Sequence, residues 1–189
     1  MNGELFLTQL KQELKVDTTV WENDLLLGNP QAPLLITVAC NPYCGPCAKA
    51  HKKLDELLEH HPNKIKVLLR LITPSPSGKD KISKAVAAIL QVSQDMGSNN
   101  EHLQNALADW FEWMNYDKWT EKWKNTSTLM LNNNLVMHHK WIENSQIANT
   151  PTFFLNGRKL PAMYSLDDID KLLPDLEEKI GEFKLSAGG

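Results

Sequence analysis

The sequence predicts a layered α/β domain with a helical insertion, on three observations. Two short apolar, partly β-branched runs, residues 34–39 and 65–72, have the length of buried strands and flank a helical segment. Residues 78–145 then show helical spacing without strand signals. A second β region follows, in which Asn156-Gly157 is the strongest kind of short-range hairpin signal. This order of strands and helices predicts one sheet with helices on both faces.

The first half of the chain supplies a strand–helix–strand unit. Apolar residues at helical spacing predict a helix over residues 5–16, and the apolar triplet 25–27 predicts a short strand. A proline precedes the strand of residues 34–39 and another follows it, which bounds that strand. Apolar residues at helical spacing over residues 47–60 predict the helix that connects it to the strand of residues 65–72.

The insertion is predicted to hold four helices and is rich in tryptophan. The helices are expected over residues 79–96, residues 101–114, a short stretch that includes Trp119 and Trp123, and residues 127–145. Core packing of a small helical subdomain is the expected use of the tryptophans, and a binding surface for an unfolded client or a membrane partner is the alternative. The tryptophans concerned are Trp110, Trp113, Trp119 and Trp123.

The C-terminal part is predicted to form a hairpin and a helix. Residues 150–155 and 158–160 are the two strands of the hairpin. A final helix over residues 165–180 begins with Ser165 as N-cap and Asp168 as its acidic capping-box partner. We therefore expect three segments, namely an N-terminal extension of residues 1–21, an α/β domain of residues 22–77 and 146–182, and an inserted helical subdomain of residues 78–145.

Composition excludes several classes of function. The chain has 189 residues, of which 42% are hydrophobic, so one domain can fill a core without covalent cross-links. A net charge of -3 gives no electrostatic case for nucleic acid or an anionic membrane surface. No apolar run approaches the roughly 20 residues of a membrane span, and residues 1–6 lack the basic start and long apolar stretch of a signal peptide.

All three cysteines lie in residues 40–47 (CNPYCGPC), directly after the strand of residues 34–39. Disulfide exchange needs an exposed thiolate, a second thiol within reach and a means of lowering the first thiol's pKa. At a strand-to-helix junction Cys44 would lie at a helix N-terminus, where unpaired N–H groups and the helix dipole favour negative charge. Cys47 would lie one turn in and largely buried. Cys44 is therefore the predicted attacking thiolate, and Cys47 is the predicted resolving thiol.

The two residues between these thiols suit the same chemistry. Pro46 restricts the loop and is acceptable in a first helical turn. Gly45 has no side chain, so a substrate chain can come close to the dithiol. Exchange of this kind needs no bound cofactor and no metal.

Two other functions of the cysteines have weaker support from the sequence. A zinc site would have to recruit Cys40 and His51, but the chain has no second paired motif and His51 lies on a predicted helix. The C-x3-C-x2-C spacing resembles the radical S-adenosylmethionine signature. That family usually has an aromatic residue before the last cysteine, where this chain has Pro46, and its barrel needs more strand–helix units than the sequence offers.

The C-G-P-C motif at a strand–helix junction, together with Thr150-Pro151 opening a late hairpin, resembles the thioredoxin superfamily. In that family the late proline is in the cis form and lies beside the dithiol. The resemblance implies that Thr150 and Pro151 present the backbone to which a substrate strand hydrogen-bonds, next to the attacking sulfur. The alternative for Pro151 is a proline that only starts a strand.

The helical insertion, and the lead-in of residues 27–33, resemble the DsbA-like group, so the α/β domain is expected to be thioredoxin-like. Residues 41–47 and 150–161 look like the thioredoxin-like domain fused to bacterial vitamin K epoxide reductase homologues. This resemblance implies a periplasmic or otherwise extracytoplasmic bacterial setting. It also implies a quinone-linked membrane redox partner of the vitamin K epoxide reductase type.

Two departures from the family pattern matter. Thioredoxins and DsbA have a carboxylate on the strand before the motif, beneath the resolving cysteine, whereas this chain has Val38. The second departure is Cys40, which we interpret as a small buried hydrophobe at the strand end. A third redox thiol, or the site of a mixed disulfide, is the alternative for Cys40.

The predicted function is thiol–disulfide oxidoreduction on protein thiols or disulfides, through a mixed disulfide. The helical insertion resembles oxidants such as DsbA, whereas the Gly-Pro dipeptide resembles reducing thioredoxins. Two rival functions therefore stand beside extracytoplasmic disulfide formation. One is a thioredoxin-like periplasmic reductant, and the other is a non-enzymatic client-binding module that hardly uses the dithiol.

Overall fold

A computed structural model describes residues 1–97, 100–123 and 133–187, with side chains through residue 179. The sheet and its helices follow the predicted order. The strands are β1 (Leu26–Gly28), β2 (Leu34–Cys40), β3 (Ile65–Leu71), β4 (Thr152–Leu155) and β5 (Arg158–Lys159). The helices are α1 (Gly3–Gln12), α2 (Gly45–His60), α3 (Lys81–Met96), α4 (Asn100–Trp113), α5 (Tyr116–Lys122), α6 (Asn133–Asn144) and α7 (Leu166–Ala187).

The five strands form one mixed sheet in the order β1-β3-β2-β4-β5. β2 and β3 are parallel, with Leu34 opposite Ile65 and Cys40 opposite Leu71. β4 runs antiparallel to β2 on its other side, so β2 is a central strand. Because both neighbours hydrogen-bond to it and both faces are covered, an almost continuously apolar sequence is what this position requires.

The two faces of the sheet carry separate parts of the core, which confirms that helices cover both. Ile36 and Cys40 on one face of β2 share a cluster with Leu54 of α2. Ala39 on the opposite face clusters with Trp141 of α6 and Phe154 of β4. Alternate residues of a strand point to opposite faces, so this division follows from the period of the strand.

The prediction for the first helix was wrong at its end. α1 stops at Gln12, and the residues after it are extended rather than helical. Lys15 forms a β-bridge with Arg158, and the Val16 N–H donates to the Gly157 carbonyl at 2.8 Å. The partners lie far along the chain, so hydrogen bonding to the sheet edge overrides a helical pattern that is only local.

The bounds of two other helices also differ from the predicted ones. α2 begins at Gly45 rather than at residue 47, and α7 continues past residue 180. Of the helix predicted over residues 127–145, the described part is α6, and residues 127–132 lie outside the described residues.

The turn and the cap predicted from sequence are confirmed. Asn156 and Gly157 have φ angles of 44° and 86°, as a two-residue hairpin turn with both φ values positive requires. At the start of α7 the Ser165 hydroxyl donates to the Asp168 carboxylate at 2.8 Å, and the Ser165 N–H donates to the same oxygen at 2.8 Å. The carboxylate thus accepts from an N–H group that the helix leaves unpaired.

The helices α3 to α6 lie between β3 and β4 in the chain, as the predicted insertion does. Trp110 and Trp119 are fully buried, and the Trp119 indole N–H donates to the Ala106 carbonyl at 2.8 Å. Core packing is therefore the use of these two tryptophans, whereas Trp113 and Trp123 are only partly buried. The residue boundaries of the three segments stay a prediction.

A buried ion pair lies on the face of the sheet that α6 covers. Arg70 of β3 and Asp24 are joined at 2.6 Å, and both side chains are inaccessible to solvent. The guanidinium carbon of Arg70 lies 3.5 Å from the centre of the Trp21 ring and 5.2 Å from that of Trp141. The pair is hydrogen-bonded through Nη2 of Arg70 and stacked on the two indole rings, while the Nε and Nη1 atoms of Arg70 have no hydrogen-bond partner among the described residues.

Candidate active site

The cysteine motif joins the central strand to α2. Cys40 is the last residue of β2, and Cys44 is the N-cap of α2 with extended φ and ψ angles of -97° and 123°. Between them, the Cys44 N–H donates to the Asn41 carbonyl at 3.1 Å, which closes a tight turn. Pro46 stands in the first turn of the helix, as predicted. The Cys44 side chain supplies no cap for the helix, so its sulfur lies at the N-terminus of α2 without satisfying the N–H groups there.

The two thiols of the motif differ in their access to solvent. Cys44 is partly exposed, whereas Cys47 is 0% exposed. Gly45 and Pro46 between them are exposed, and a side chain added at Gly45 would meet no atom within 4 Å. An incoming chain therefore has room directly over the motif, and it can reach the sulfur of Cys44 but not that of Cys47.

Thr150 and Pro151 lie beside the exposed sulfur. The Thr150–Pro151 peptide bond is cis, as the resemblance implied. The Cys44 thiol donates to the Thr150 carbonyl at 3.8 Å, and the Thr150 hydroxyl donates to the Cys44 sulfur at 3.7 Å. The fold thus brings together two motifs that are 106 residues apart in the chain.

Beneath the motif, Cys40 and Cys47 are buried in one cluster, and position 38 of the same strand holds no carboxylate. Val38, at the position where the family has that carboxylate, is fully buried and apolar. Cys40 and Cys47 are buried in one hydrophobic cluster, and the neighbouring Cys40 thiol is the first cause that lowers the pKa of Cys47 to about 6. The Cys47 thiol and burial together raise the pKa of Cys40 well above its usual value. The fit of Cys40 as a small buried residue was predicted, whereas its place in one cluster with Cys47 was not.

The inserted helices support the loop before the dithiol. The Trp110 indole N–H of α4 donates to the Pro42 carbonyl at 2.7 Å. The rings of Tyr43 and Trp110 meet edge to face at 5.5 Å, and the ammonium group of Lys81 lies 4.4 Å from the centre of the Tyr43 ring. Sequence reasoning missed this support of the loop, although core packing was the expected use of Trp110.

A groove of about 290 Å³ opens on the other side of the Thr150–Pro151 loop. Phe153, Leu160 and Tyr164 are among its lining residues, together with Pro151. Next to it Met163 is 70% exposed. The groove shares Pro151 with the loop beside Cys44, and its lining is mixed, with Gln146, Asn149 and Lys159 beside the apolar side chains.

His51 lies one helical turn beyond Cys47, and its neighbours are an aromatic ring and a carboxylate. Its ring stacks on Phe111 with centroids 4.8 Å apart, and its Nε2 lies 3.4 Å from the Asp55 carboxylate. Burial lowers the pKa of His51 to about 4, and burial also raises the pKa of Asp55 to about 6. Among residues 1–97, 100–123 and 133–179, no group of three His, Cys, Asp or Glu side chains is arranged to hold a metal ion.

Most of the chain matches a known protein family. Residues 20–175 match the family model described as Thioredoxin. A search of curated proteins finds no match. Of the helices the structure describes, none has the length and apolar character needed to cross a membrane.

Several solved structures share the fold. Proteus mirabilis ScsC in a compact conformation is 15% identical, with a TM-score of 0.64 over 93% of this chain and 88% of that one. A periplasmic thioredoxin-like protein from Salmonella enterica serovar Typhimurium is 12% identical, with a TM-score of 0.60 over 84% and 91%. A putative protein-disulfide isomerase from Pseudomonas syringae is 23% identical, with a TM-score of 0.55 over 80% and 97%.

Proposed function

This chain belongs to the thioredoxin family, and on that premise we propose that it is a thiol–disulfide oxidoreductase whose catalytic residues are Cys44 and Cys47. The observation that carries the proposal is the contrast between the two sulfurs. One is partly exposed at a helix N-terminus, 3.8 Å from the Thr150 carbonyl, and the other is buried one turn further on. A helix N-terminus favours negative charge on the exposed sulfur.

The reaction proceeds through a mixed disulfide. The Cys44 thiolate attacks one sulfur of a substrate disulfide, a Cys44–substrate bond forms, and the other substrate sulfur leaves as a thiolate. Cys47 then attacks the Cys44 sulfur, releases the second substrate thiolate, and forms the Cys44–Cys47 disulfide. Two electrons pass to the substrate, and the reverse sequence oxidises a substrate dithiol. Cys44 makes the first attack because Cys47 has no access to an external chain.

Gly45, Pro46, Thr150 and Pro151 form the surface on which the substrate lies in this proposal. Gly45 and Pro46 are exposed, so an extended chain can cross the motif. The backbone next to Cys44 at Thr150 offers that chain main-chain hydrogen bonds of the strand-addition kind. The adjoining groove, which mixes apolar and polar lining residues, offers room for side chains of an unfolded protein in this proposal.

We further propose that the compartment is extracytoplasmic and that the dithiol exchanges electrons with a quinone-linked membrane partner of the vitamin K epoxide reductase type. The resemblance of residues 41–47 and 150–161 supports this, as does the periplasmic thioredoxin-like protein of similar fold. A redox equilibrium of Cys44–Cys47 with glutathione tests the direction. A potential near roughly −120 mV, as in DsbA, supports the oxidant, whereas one near roughly −270 mV, as in thioredoxin, supports the periplasmic reductant instead.

The enzyme is distinguished from a client-binding module by two substitutions. We expect Cys44→Ser to abolish both insulin reduction and oxidative refolding of a reduced protein. We expect Cys47→Ser to accumulate a mixed disulfide between Cys44 and its substrate, because the resolving attack is lost. Full activity of Cys44→Ser in both assays would overturn the proposed function and leave client binding as the alternative.

A further inference from the structure

The turn between β2 and α2 determines where Cys44 lies. Its ends are joined by the Cys44 N–H, which donates to the Asn41 carbonyl at 3.1 Å. Pro42 and Tyr43 are its two central residues, and the Tyr43 N–H donates to the Asn41 Oδ1 at 2.9 Å. An asparagine in the first position and a proline in the second are favoured in a type I turn. Tyr43 is not among the described residues with a positive φ, which a type II turn would require at that position.

The peptide bond between Pro42 and Tyr43 is the part of this turn that could be reoriented. Type I and type II turns differ chiefly in the direction in which this central peptide points. Its carbonyl belongs to Pro42, which is buried, and it accepts the Trp110 indole N–H at 2.7 Å. A buried carbonyl without a donor costs more free energy than a hydrogen bond contributes, so this bond favours one orientation of the peptide.

We propose that Trp110 is a positioning residue for Cys44, because its hydrogen bond to Pro42 selects the turn that places the Cys44 sulfur at the N-terminus of α2. Trp110 lies 68 residues further along the chain than Pro42, within the inserted helices. The insertion therefore sets the reactivity of the dithiol through the backbone of the turn. This inference rests on the proposed function, in which Cys44 makes the first attack.

The insertion fixes the direction of the Trp110 indole N–H. The side chain of Trp110 is 0% exposed, and its ring meets those of Tyr43 and Trp119 edge to face, each at 5.5 Å. Trp119 is held in turn by its own indole N–H, which donates to the Ala106 carbonyl at 2.8 Å. A buried ring packed on two sides cannot turn its N–H elsewhere without disturbing the core.

Other contacts of the turn act on the side chain of Tyr43 rather than on the backbone of Pro42. The ammonium group of Lys81 lies 4.4 Å from the centre of the Tyr43 ring. Burial, together with Tyr116 and Asp117, raises the pKa of the Tyr43 hydroxyl. A variant that keeps these contacts but lacks the indole N–H therefore isolates the hydrogen bond.

The first test measures how fast Cys44 attacks Ellman's reagent in the full-length chain. All proteins carry Cys47→Ser, so that the reaction stops at the mixed disulfide of Cys44. Trp110→Phe keeps an aromatic ring but has no N–H donor, and we expect it to slow the attack by about twofold to tenfold. The matched control is Trp119→Phe, which loses an indole donor of the same insertion whose acceptor lies within α4. It should react at the parent rate.

An isosteric replacement separates the hydrogen bond from packing, and it keeps the test decisive if the phenylalanine variant unfolds. Benzothienylalanine has a sulfur atom where tryptophan has its N–H group, so at position 110 it fills the same space without a donor. We expect it to slow the attack of Cys44 as Trp110→Phe does. The same replacement at position 119 should leave the rate unchanged.

The redox equilibrium with glutathione gives a second readout, in protein that retains both Cys44 and Cys47. A sulfur held less firmly at the helix N-terminus is stabilised less as a thiolate in the reduced protein. Both replacements of Trp110 should therefore shift the equilibrium toward the Cys44–Cys47 disulfide by about twofold to tenfold. General loosening of the core would destabilise both redox forms alike and leave this equilibrium unchanged.

The results that overturn the proposal are specific to Trp110. A rate of attack and a glutathione equilibrium equal to the parent's, in folded Trp110→Phe or in the isosteric variant, would overturn it. An equal change in the Trp119 variants would also overturn it, because loosening of the insertion would then explain the result.

Failure of the proposed function gives a different pattern. Cys44→Ser would then retain insulin reduction, whatever the Trp110 variants do to the rate at which Cys44 reacts. If Cys44→Ser is inactive while Trp110→Phe equals the parent in both readouts, only the role of Trp110 is wrong.

Discussion

At the scale of single residues, burial decides what otherwise identical side chains do. Cys44 and Cys47 are three positions apart, yet Cys44 is partly exposed to solvent and Cys47 is buried. His138 is another case, since it is fully buried and its Nδ1 accepts the Leu71 N–H at 3.0 Å. Protonation would turn that acceptor into a donor facing a donor, and burial together with the charge of Arg70 lowers the pKa of His138 to about 3.

This arrangement predicts loss of stability in acid. An unfolded histidine binds its proton near about pH 6.5, so between that pH and about 3 the unfolded chain binds more protons than the native one. Stability from this group is therefore complete above the unfolded pKa and falls as pH drops. We expect the contribution of His138 to the free energy of unfolding to fall by about 2 kcal/mol between about pH 8 and about pH 5.

Denaturant unfolding at the two pH values checks this expectation. His138→Asn retains an oxygen acceptor for the Leu71 N–H but does not titrate, so its loss between the two pH values should be smaller by about 2 kcal/mol. An equal loss in the wild-type protein and the variant would contradict the assignment to His138.

Thr150 is a second residue whose contribution can be measured, because its hydroxyl donates to the Cys44 sulfur. Thr150→Val keeps the shape of the side chain but removes the donor that lies 3.7 Å from the Cys44 sulfur. We expect the first attack of Cys44 on Ellman's reagent to slow by about twofold to tenfold, as loss of one modest hydrogen bond implies. Thr152→Val, whose hydroxyl bonds to Asn149 instead, is the matched control and should react at the parent rate.

At the scale of elements, the features best predicted from sequence are those that depend only on residues close together in the chain. The Asn156-Gly157 turn and the Ser165–Asp168 cap depend on neighbours within three residues, and both appear as predicted. The helix α1 ends earlier than its pattern suggests, because the following residues bond to a hairpin far along the chain. The spacing of residues within one segment does not reveal a hydrogen-bonding partner that lies far along the chain.

The hairpin turn gives a prediction at this scale. A Cβ at Gly157 would lie 3.0 Å from the Val16 carbonyl, in a backbone with φ of 86°. We expect Gly157→Ala to destabilise the protein by about 1–3 kcal/mol, from the left-handed backbone and the contact with Val16 together. Gly78→Ala, at φ of 70°, meets only the end of the Leu135 side chain, so denaturant unfolding should show a smaller loss.

At the scale of the whole molecule, the inserted helices meet the rest of the domain beside the cysteine motif. The Trp110 indole is fully buried and donates to the carbonyl of Pro42, two residues before Cys44. Trp110→Phe keeps an aromatic ring but leaves that carbonyl without its donor. We expect a loss of about 1–3 kcal/mol in unfolding free energy. Retention of full stability would mean that the contact does not couple the two parts.

The limits of sequence reasoning also show at this scale. The pairing of C-G-P-C with Thr150-Pro151 predicted that the two motifs meet, because the pair is much more specific than either motif alone, and Cys44 and Thr150 do lie side by side. The ion pair of Arg70 with Asp24 was not predicted, because Arg70 lies inside an apolar run and its partner is 46 residues away. The hydrogen bond of Trp110 to Pro42 likewise depends on tertiary packing, which a local sequence pattern does not reveal.

The extended residues after α1 have a consequence for association between molecules. The Lys159 N–H donates to Leu14 and the Val16 N–H donates to Gly157, so the chain itself occupies the free side of β5. Exposed strand edges template pairing with other chains, and this one is already covered. A shortened chain that begins at residue 20, where the family match starts, would uncover that edge. Such a fragment should retain its dithiol yet self-associate, as light scattering at rising concentration would reveal.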